Sequence, residues 1–583
     1  MPRRPKKSAE VQPADQPTWL GLSFARCKGF LSRRRFSLLL SVAVFCVVTL
    51  GIDHGGHYPN LPEGPGLTID EIFNVQEGVR LEVGVRYWLL GAMSLREVFG
   101  ESEDLGPRAE FGYHLPDHPP LGRYLLGAAH NVTRTLVPPA EVEPPHPFTI
   151  AAARVGSAAA FALTVLLVSL YGEIHWGRAA GLCGGLSLAL MPRVLGHAHL
   201  ASLETMIGLA YTAFTLHVAA TWRAERGVPG FIAIVTGLLW GLALLTKIQA
   251  VLLPIPLTIW ALWHWRFRAV RPLVIVAIVG LGTFFVGWPW LWLDPLTHAR
   301  EYFASAADRQ PLHVFYFGRQ WNDVSVPWHY PWLMSLVTTP VMLLGLGLLG
   351  LVGRISGEGG LRARTDVQWI AAAGLFPLIV FSTAAAVYDG VRLFLISFPL
   401  LAVLVGRGTE VFFEWATRQR WPVRLSGALI AVLLLSQTIG IAVMRPVYLS
   451  SYNLSIGGIA GAERLGFEVN YWSDAITRSV LTELAENVPG GQKVAVGPVL
   501  FPFQLQTLRT QSPVLPADQS IELIEFRPGE PIDADWLVVF ERKAELGDAA
   551  DIASLASEWE PVAVIRRGGV VLGGLFHRKR LIE

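Results

Sequence analysis

The chain is poor in charge: Asp, Glu, Lys and Arg make up 16% of its 583 residues, against 52% hydrophobic ones. A soluble protein of this length needs more charged surface, so a soluble globular enzyme is excluded and a polytopic membrane protein remains. Cysteine is scarce as well. Cys27, Cys46 and Cys183 lie in the N-terminal tail and in apolar runs, so the hydrophilic segments hold none to pair and no disulfide framework is expected, which leaves the redox compartment open. There is no basic stripe. The net charge is +2, with Lys and Arg in short blocks between apolar runs, and nothing points to nucleic acid as a partner. The hydrophilic C-terminal part has no phosphate-binding loop or nucleophile motif, and the chain shows no clear internal repeat of the kind transporters carry.

What is abundant is the long apolar run. A hydrocarbon core about 30 Å thick takes roughly 20 residues of helix. That window fits near residues 36–52, 150–171, 179–195, 203–221, 230–246, 248–265, 271–292, 332–352, 367–387, 393–413 and 424–443, about eleven transmembrane helices. Residues 1–35 form a basic tail, and the first run closes without a small-residue cleavage site, so it reads as an uncleaved helix with the tail in the cytoplasm. Alternation then collects Arg178, Arg223, Arg226, Arg266, Arg268, Arg271, Arg354, Arg362, Arg364, Arg418, Arg420 and Arg424 on the cytoplasmic side, as the positive-inside rule requires. The same alternation places the loop 53–149, the loop 293–331 and residues 446–583 on the outer face.

From residue 446 the composition is that of a soluble domain. Residues 474–486 have helical periodicity, 493–496 and 536–540 read as strands, and 562–565 with 570–572 read as a hairpin around Gly568-Gly569. A small extracytoplasmic α/β domain is expected, serving acceptor recognition or acting as a cap. The aromatic loop 293–331 reads as a lid, or as packing on the first outer loop. Trp288, Trp290 and Trp292 read as an interfacial belt.

Ionisable residues gather at the outer ends of the spans, where polar groups are costly unless they face a cavity. They are Asp70 and Glu71; Asp117, His118 and Arg123; Arg154; His197, His199 and Glu204; Lys247; Asp294; and Tyr388, Asp389 and Arg392. Economy places them around one outer cavity. A loop carboxylate is a candidate general base, and Arg, Lys and His are candidate holders of a phosphate. Together they suit transfer from a phosphate-activated donor, with the base taking the acceptor proton while the cations stabilise the departing phosphate. Plainer readings compete. Asp70 and Glu71 can cap a surface helix, Arg154 and Lys247 can snorkel to the interface, and His197 and His199 can be polar lining. His114 and His118 form no helical metal pair, because Pro116, Pro119 and Pro120 prevent that helix, and no metal site is expected. The sequon Asn131-Val-Thr133 is common by chance.

The order of the short motifs says more than any one of them. Asp70-Glu71, His118-Pro-Pro-Leu121, Arg154, Pro192-Arg-Val-Leu-Gly-His-Ala-His199 followed by Glu204, Leu245-Thr-Lys247, Trp288-Pro-Trp290, Tyr388-Asp-Gly-Val-Arg392 and the segment from Leu449 to Trp472 together resemble the polyprenyl-phosphate-dependent GT-C glycosyltransferases. Specifically, the chain resembles the bacterial branch of the protein O-mannosyltransferase family, glycosyltransferase family 39, related to the aminoarabinose transferases of lipid A. The resemblance spans residues 36–475 and implies a GT-C-like catalytic domain over 36–445 in a bacterial plasma membrane. It implies inverting transfer of mannose, or another hexose or pentose, from a polyprenyl-phosphate donor to a hydroxyl of a protein, lipid or polysaccharide outside the cytoplasm. By the same resemblance Asp70 is the base with Glu71 as its motif partner, and His118, Arg123, Arg154, Lys247 and Arg392 bind the donor phosphate. Asp117, His197, His199, Glu204, Tyr388 and Asp389 position substrate, and no cofactor or metal is required. Two positions depart from the pattern. Glu204 stands where relatives more often have Asp, and its extra methylene moves the carboxylate; Leu393 stands where they often have His. The rival readings are a transporter or lipid-linked-sugar flippase, which predicts inverted repeats and broken helices, and a silent scaffold, in which Asp70 is dispensable.

Overall fold

The computed structural model describes residues 34–100, 116–142, 146–222, 227–307, 311–356, 364–383, 385–515, 520–547, 552–555 and 557–579. The basic tail up to residue 33, His114, Arg223, Arg226 and Arg362 lie outside the described residues.

Helix occupies each apolar window. In chain order these are α1 (Arg35–Thr49), α2 (Glu71–Leu89) and α3 (Pro120–Leu136) in the first loop, α4 (Ile150–Trp176), α5 (Arg178–Ala189), α6 (Pro192–Ala198), α7 (Leu203–Thr221), α8 (Gly230–Thr246), α9 (Pro254–Trp265) and α10 (Val270–Gly287). They continue with α11 (Tyr330–Thr338), α12 (Val341–Val352), α13 (Thr365–Phe381), α14 (Phe398–Arg418) and α15 (Val423–Met444). The chain is a mostly helical, multi-pass membrane protein. By length and composition four stretches are long and apolar enough to cross a membrane, Ile150–Trp176, Ile248–Gly287, Arg392–Arg418 and Val423–Met444, and six if α5 with α6 and α11 with α12 each form one bent span. That is fewer than eleven because residues 248–287 run on as one helical stretch, α1, α8 and α13 are short, and α7, long enough at 19 residues, is not apolar enough.

Proline sets both bends. Met191 before Pro192 and Thr339 before Pro340 are extended, as the ring of a following proline demands, and the helices turn there by 71° and 113°. Glycine sets the close approach that builds the first loop. A Cβ on Gly127 of α3 would lie 1.9 Å from the Gly78 carbonyl oxygen of α2, so the two helices cross backbone to backbone and only glycine fits. This crossing brings the start of α2, with Asp70, towards Arg123 on the first turn of α3.

Beyond α15 the chain forms α16 (Arg478–Asn487), α17 (Pro502–Gln511) and one five-stranded sheet. With the short hairpin β1 (His313–Tyr316) and β2 (Arg319–Asn322) counted first, its strands are β3 (Lys493–Gly497), β4 (Glu522–Glu525), β5 (Trp536–Phe540), β6 (Trp559–Arg567) and β7 (Val570–Arg578). The order is β4-β3-β5-β7-β6. β3 pairs parallel with β4 and β5, and β5, β7 and β6 pair antiparallel. The α/β unit, its helix, the β3 and β5 strands and the Gly568-Gly569 hairpin are as the sequence predicts; β4 and α17 carried too little periodicity to be seen. The unit is docked, not free: Gln504 Nε2 donates to the Ile69 carbonyl at 2.9 Å, Ser512 Oγ to that of Gly55 at 2.9 Å, and Arg478 pairs with the buried Asp53 at 2.8 Å.

Of the two expectations about aromatics, packing of the 293–331 loop on the first outer loop holds in part, where Tyr302 joins Leu81 and Phe99, and the interfacial belt gives way. The β1–β2 hairpin of the 293–331 loop docks on the C-terminal segment, with Tyr316 bridging to Phe467, Gly318 N–H bonded to the Gly466 carbonyl and Gln320 bonded to that of Ala544. Trp288 and Trp290 are fully buried, packed with Leu81, Phe99 and Tyr302. They form a core under α2, because the chain turns inward at Pro289, and only Trp292 is partly exposed as a belt residue would be.

Candidate functional site

Asp70 sits at the N-cap position of α2, yet its backbone is helical (φ −84°, ψ −18°) and its side chain caps nothing. An N-cap needs an extended backbone to reach back to the helix N–H groups, so the capping role falls away and the carboxylate, a third exposed, is met by the Arg392 Nη2 instead. Arg392 owes its position to the turn before it. Asp389 (φ +54°) and Gly390 (φ +65°) are left-handed, a fold-back that opens directly into the 3-10 helix Arg392–Ser397.

Arg392 is the centre of the cluster. Its Nε donates to Glu204 Oε1 at 2.8 Å, its Nη1 to Asp389 Oδ2 at 2.9 Å, and its guanidinium lies 4.2 Å from the Trp472 ring centre and 5.7 Å from that of Tyr388. Glu204, in the first turn of α7, also accepts from Lys247 Nζ. Lys247 is buried at the end of α8, where the helix breaks into an extended residue (φ −164°, ψ 152°). It does not snorkel.

A second group adjoins it. Arg123 forks onto Asp117 at 2.5 and 3.0 Å and donates to Asn74 at 3.2 Å, and His118 Nδ1 lies 3.1 Å from the same carboxylate. Burial opposes ionisation of Asp117, but the Arg123 guanidinium and His118 outweigh it and hold the carboxyl well below the usual range. Burial lowers the His118 pKa, helped by Arg123 and Lys247 and opposed by Asp117, so its imidazole is neutral near neutral pH.

Glu71 and Arg154 stand apart from the open site. Glu71 accepts five hydrogen bonds, from Arg154 Nε and Nη2, the Ala201 N–H, and the Thr68 N–H and hydroxyl. Arg154 spends its remaining donors on the carbonyls of Ile52, Pro65 and Gly66. Both are fully buried. The pair locks the first loop to α4 and leaves no lone pair for a substrate proton and no N–H for a phosphate, which corrects the expectation that either touches substrate. His199 is likewise internal, bonded to the Leu195 carbonyl and packed on Tyr448. His197 borders the cluster through Trp472, 5.3 Å between rings. Among the described residues no three His, Cys, Asp or Glu side chains converge as metal ligands would.

Three participants escaped the sequence reading. Trp472 and Arg193 sit inside motifs already noted, but nothing in those motifs says that they flank Arg392. Arg542, just past β5, donates to the Tyr471 carbonyl at 2.7 Å and lies 3.4 Å from Asp389; no local pattern marks it, because the contact joins residues 153 apart in number.

An apolar groove of about 540 Å³ opens between α11, α12, α13 and α14, lined mainly by apolar side chains such as Trp332, Leu344, Ile370, Leu378 and Leu401, with Ser397 at one end. Ser397 is the last residue of the short 3-10 stretch that Arg392 begins, which is kinked at Phe394 (φ −113°, ψ 20°), so six residues join ion cluster and groove.

Residues 108–297 match the profile of the dolichyl-phosphate-mannose-protein mannosyltransferase family, a span holding Asp117, His118, Arg123, Arg154, His197, His199, Glu204 and Lys247. The resemblance read from the motifs is borne out over that span, which matches a glycosyltransferase family. No curated protein matches the sequence. Among solved structures the chain is similar to ArnT from Cupriavidus metallidurans bound to undecaprenyl phosphate (13% identity, TM-score 0.43, covering 94% of this chain and 98% of that one). It is also similar to the archaeal oligosaccharyltransferase AglB from Archaeoglobus fulgidus (11%, 0.43, 84% and 65%) and to the Pmt1-Pmt2 protein O-mannosyltransferase complex of S. cerevisiae (15%, 0.29, 46% and 34%).

Proposed function

We propose that the chain is an inverting glycosyltransferase that moves a sugar from a polyprenyl-phosphate donor to a hydroxyl of an acceptor on the outer face of a bacterial plasma membrane, with the N-terminus in the cytoplasm and the C-terminal domain outside. The observation that carries this reading is the helix Arg392–Ser397, which has a guanidinium and partly exposed carboxylate at one end and an apolar groove at the other. A phosphate with a long apolar tail is the ligand that such a junction suits. The Arg178-to-Arg424 distribution of basic residues supports the orientation.

In this reading Arg392 and Lys247 turn from Asp70 and Glu204 to the donor phosphate, helped by His118 on the facing loop. Asp70, released from Arg392, accepts the proton of the acceptor hydroxyl as it attacks the anomeric carbon opposite the phosphate, through a transition state of oxocarbenium character. Asp389 keeps its bond to Arg392, and Arg123 holds Asp117 and Asn74. No metal is required for these steps.

The test is transfer from radiolabelled polyprenyl-phosphate sugars by the full chain in lipid, with a panel of peptide, lipid and glycan acceptors. Acceptor-dependent donor consumption that disappears in Asp70→Asn supports the reading and names the sugar. The two bent helix pairs are a feature that the flippase reading predicts; donor binding without turnover in either protein, with donor moved across the bilayer, would decide for it.

A further inference from the structure

The cluster around Arg392 is poor in positive charge for a phosphate site. Among the described residues Asp70, Glu204 and Asp389 pair with Arg392 and Lys247, and Arg542 beside Asp389 is shared with Glu545 at 3.8 Å. Four carboxylates against three cations repel an anionic donor. Behind the Asp389-Gly390 turn, however, stands Arg193, the second residue of α6, fully buried. Its Nε donates to the Ser451 carbonyl at 3.1 Å, its Nη1 and Nη2 meet no acceptor in good hydrogen-bond geometry although the Tyr452 hydroxyl lies close by, and it forms no ion pair among the described residues. Its guanidinium lies over Tyr452 (4.5 Å) and near Tyr471 (5.8 Å), next in sequence to the Trp472 that carries Arg392. It also presses on the turn, since a Cβ on Gly390 would fall 2.4 Å from Nη1.

An unpaired buried guanidinium is costly to the fold because no counter-charge repays its desolvation, so an apolar group of similar volume in its place need not lower stability. Its retention here has a use at the site. We infer that Arg193 is a positioning residue for the donor: it supplies the further positive charge, through the Asp389-Gly390 turn, that makes the cluster receptive to the donor phosphate, and it fixes that turn by filling the space Gly390 leaves. This rests on the polyprenyl-phosphate reading proposed above. A unit charge acting over about 10 Å at an effective dielectric near 20 changes anion affinity by roughly tenfold.

The test measures binding of a polyprenyl monophosphate, with the neutral polyprenol as control, to the full chain in lipid nanodiscs, together with thermal melting. Arg193→Met is expected to bind the phosphate about tenfold more weakly, to leave polyprenol binding unchanged, and to melt no lower than wild type. Arg193→Lys, which keeps the charge, is expected to retain most of the affinity. A purely structural arginine gives the opposite pattern, with lower melting in both variants and unchanged affinity in whatever stays folded. Wild-type affinity in a folded Arg193→Met overturns the inference, and so does a folded Arg193→Lys that binds tenfold more weakly. Should Arg193→Met fail to fold, Arg193→Gln removes the charge in its place, with the same loss of about tenfold expected and wild-type affinity overturning the inference. If wild type itself shows no preference for the phosphate over polyprenol, the donor reading fails and takes this inference with it.

Discussion

Asp70 and Glu71 are adjacent carboxylates of one motif, and the structure predicts opposite fates for their isosteric amides. Glu71→Gln replaces an oxygen that faces donors with an NH2 group. Of its five hydrogen bonds, at 2.6–3.1 Å, at least one becomes a donor facing a donor, and Arg154 is left as a buried cation without its counter-charge. Breaking a buried pair in this way costs about 3–5 kcal/mol. Asp70→Asn loses a single contact to Arg392 from a carboxylate one-third exposed, worth about 0.2–1 kcal/mol after solvent screening. Its cost is in rate, about 10²- to 10⁴-fold if it is the general base. Melting of the purified variants in one detergent, followed by initial rates per folded molecule, separates the two. Glu71→Gln should melt well below wild type and keep its turnover per folded molecule, while Asp70→Asn should melt with wild type and turn over slowly. A stable Glu71→Gln with lost turnover refutes the assignment of Glu71 to the scaffold, and an Asp70→Asn of normal rate refutes the base.

Filling the groove should separate tail binding from chemistry: Gly345 lines it and a Cβ there meets nothing within 4 Å, so Gly345→Phe is expected to raise the donor KM several-fold with kcat and melting unchanged. Arg542→Gln removes a charged hydrogen bond to the Tyr471 carbonyl, about 1.5–3 kcal/mol, and should loosen the C-terminal domain enough for limited proteolysis to detect at concentrations where wild type resists. Burial raises the Asp474 carboxyl from 3.8 to about 7, so its contribution to stability is intact below pH 3.8 and is lost as pH rises through about 7, up to about 4 kcal/mol over that window. Melting should therefore fall between pH 5.5 and pH 8, and Asp474→Asn should flatten that fall; an unchanged slope in the variant assigns the dependence to other groups.

What was legible in the sequence follows from local physics. The apolar windows showed, because a span must be about 20 residues of uninterrupted hydrophobicity, and the hairpin at Gly568-Gly569 and the strands β3 and β5 showed through alternation and turn residues. The turn before Arg392 showed as well, since Asp389-Gly390 permits few directions. Asp70, Lys247, Glu204, Asp389 and Arg392 were singled out by their cost at the membrane border, and they do converge. Other matters depend on how distant segments meet. Glu71 is as acidic as Asp70 in the sequence, and only the arrival of Arg154 and Ala201 turns it inward. Trp288 and Trp290 have the composition of an interfacial belt and become core because Leu81 of α2, Phe99 and Tyr302 close over them. Arg193 is left unpaired, and Arg542 brought to Asp389, by the docking of the C-terminal domain, a contact set by surface complementarity over long chain separations, for which no local pattern exists. The sequence by itself determined which residues are too expensive to be idle in a membrane; the tertiary structure alone decided which of them hold one another and which remain for a substrate, because pairing depends on distance in space and not along the chain.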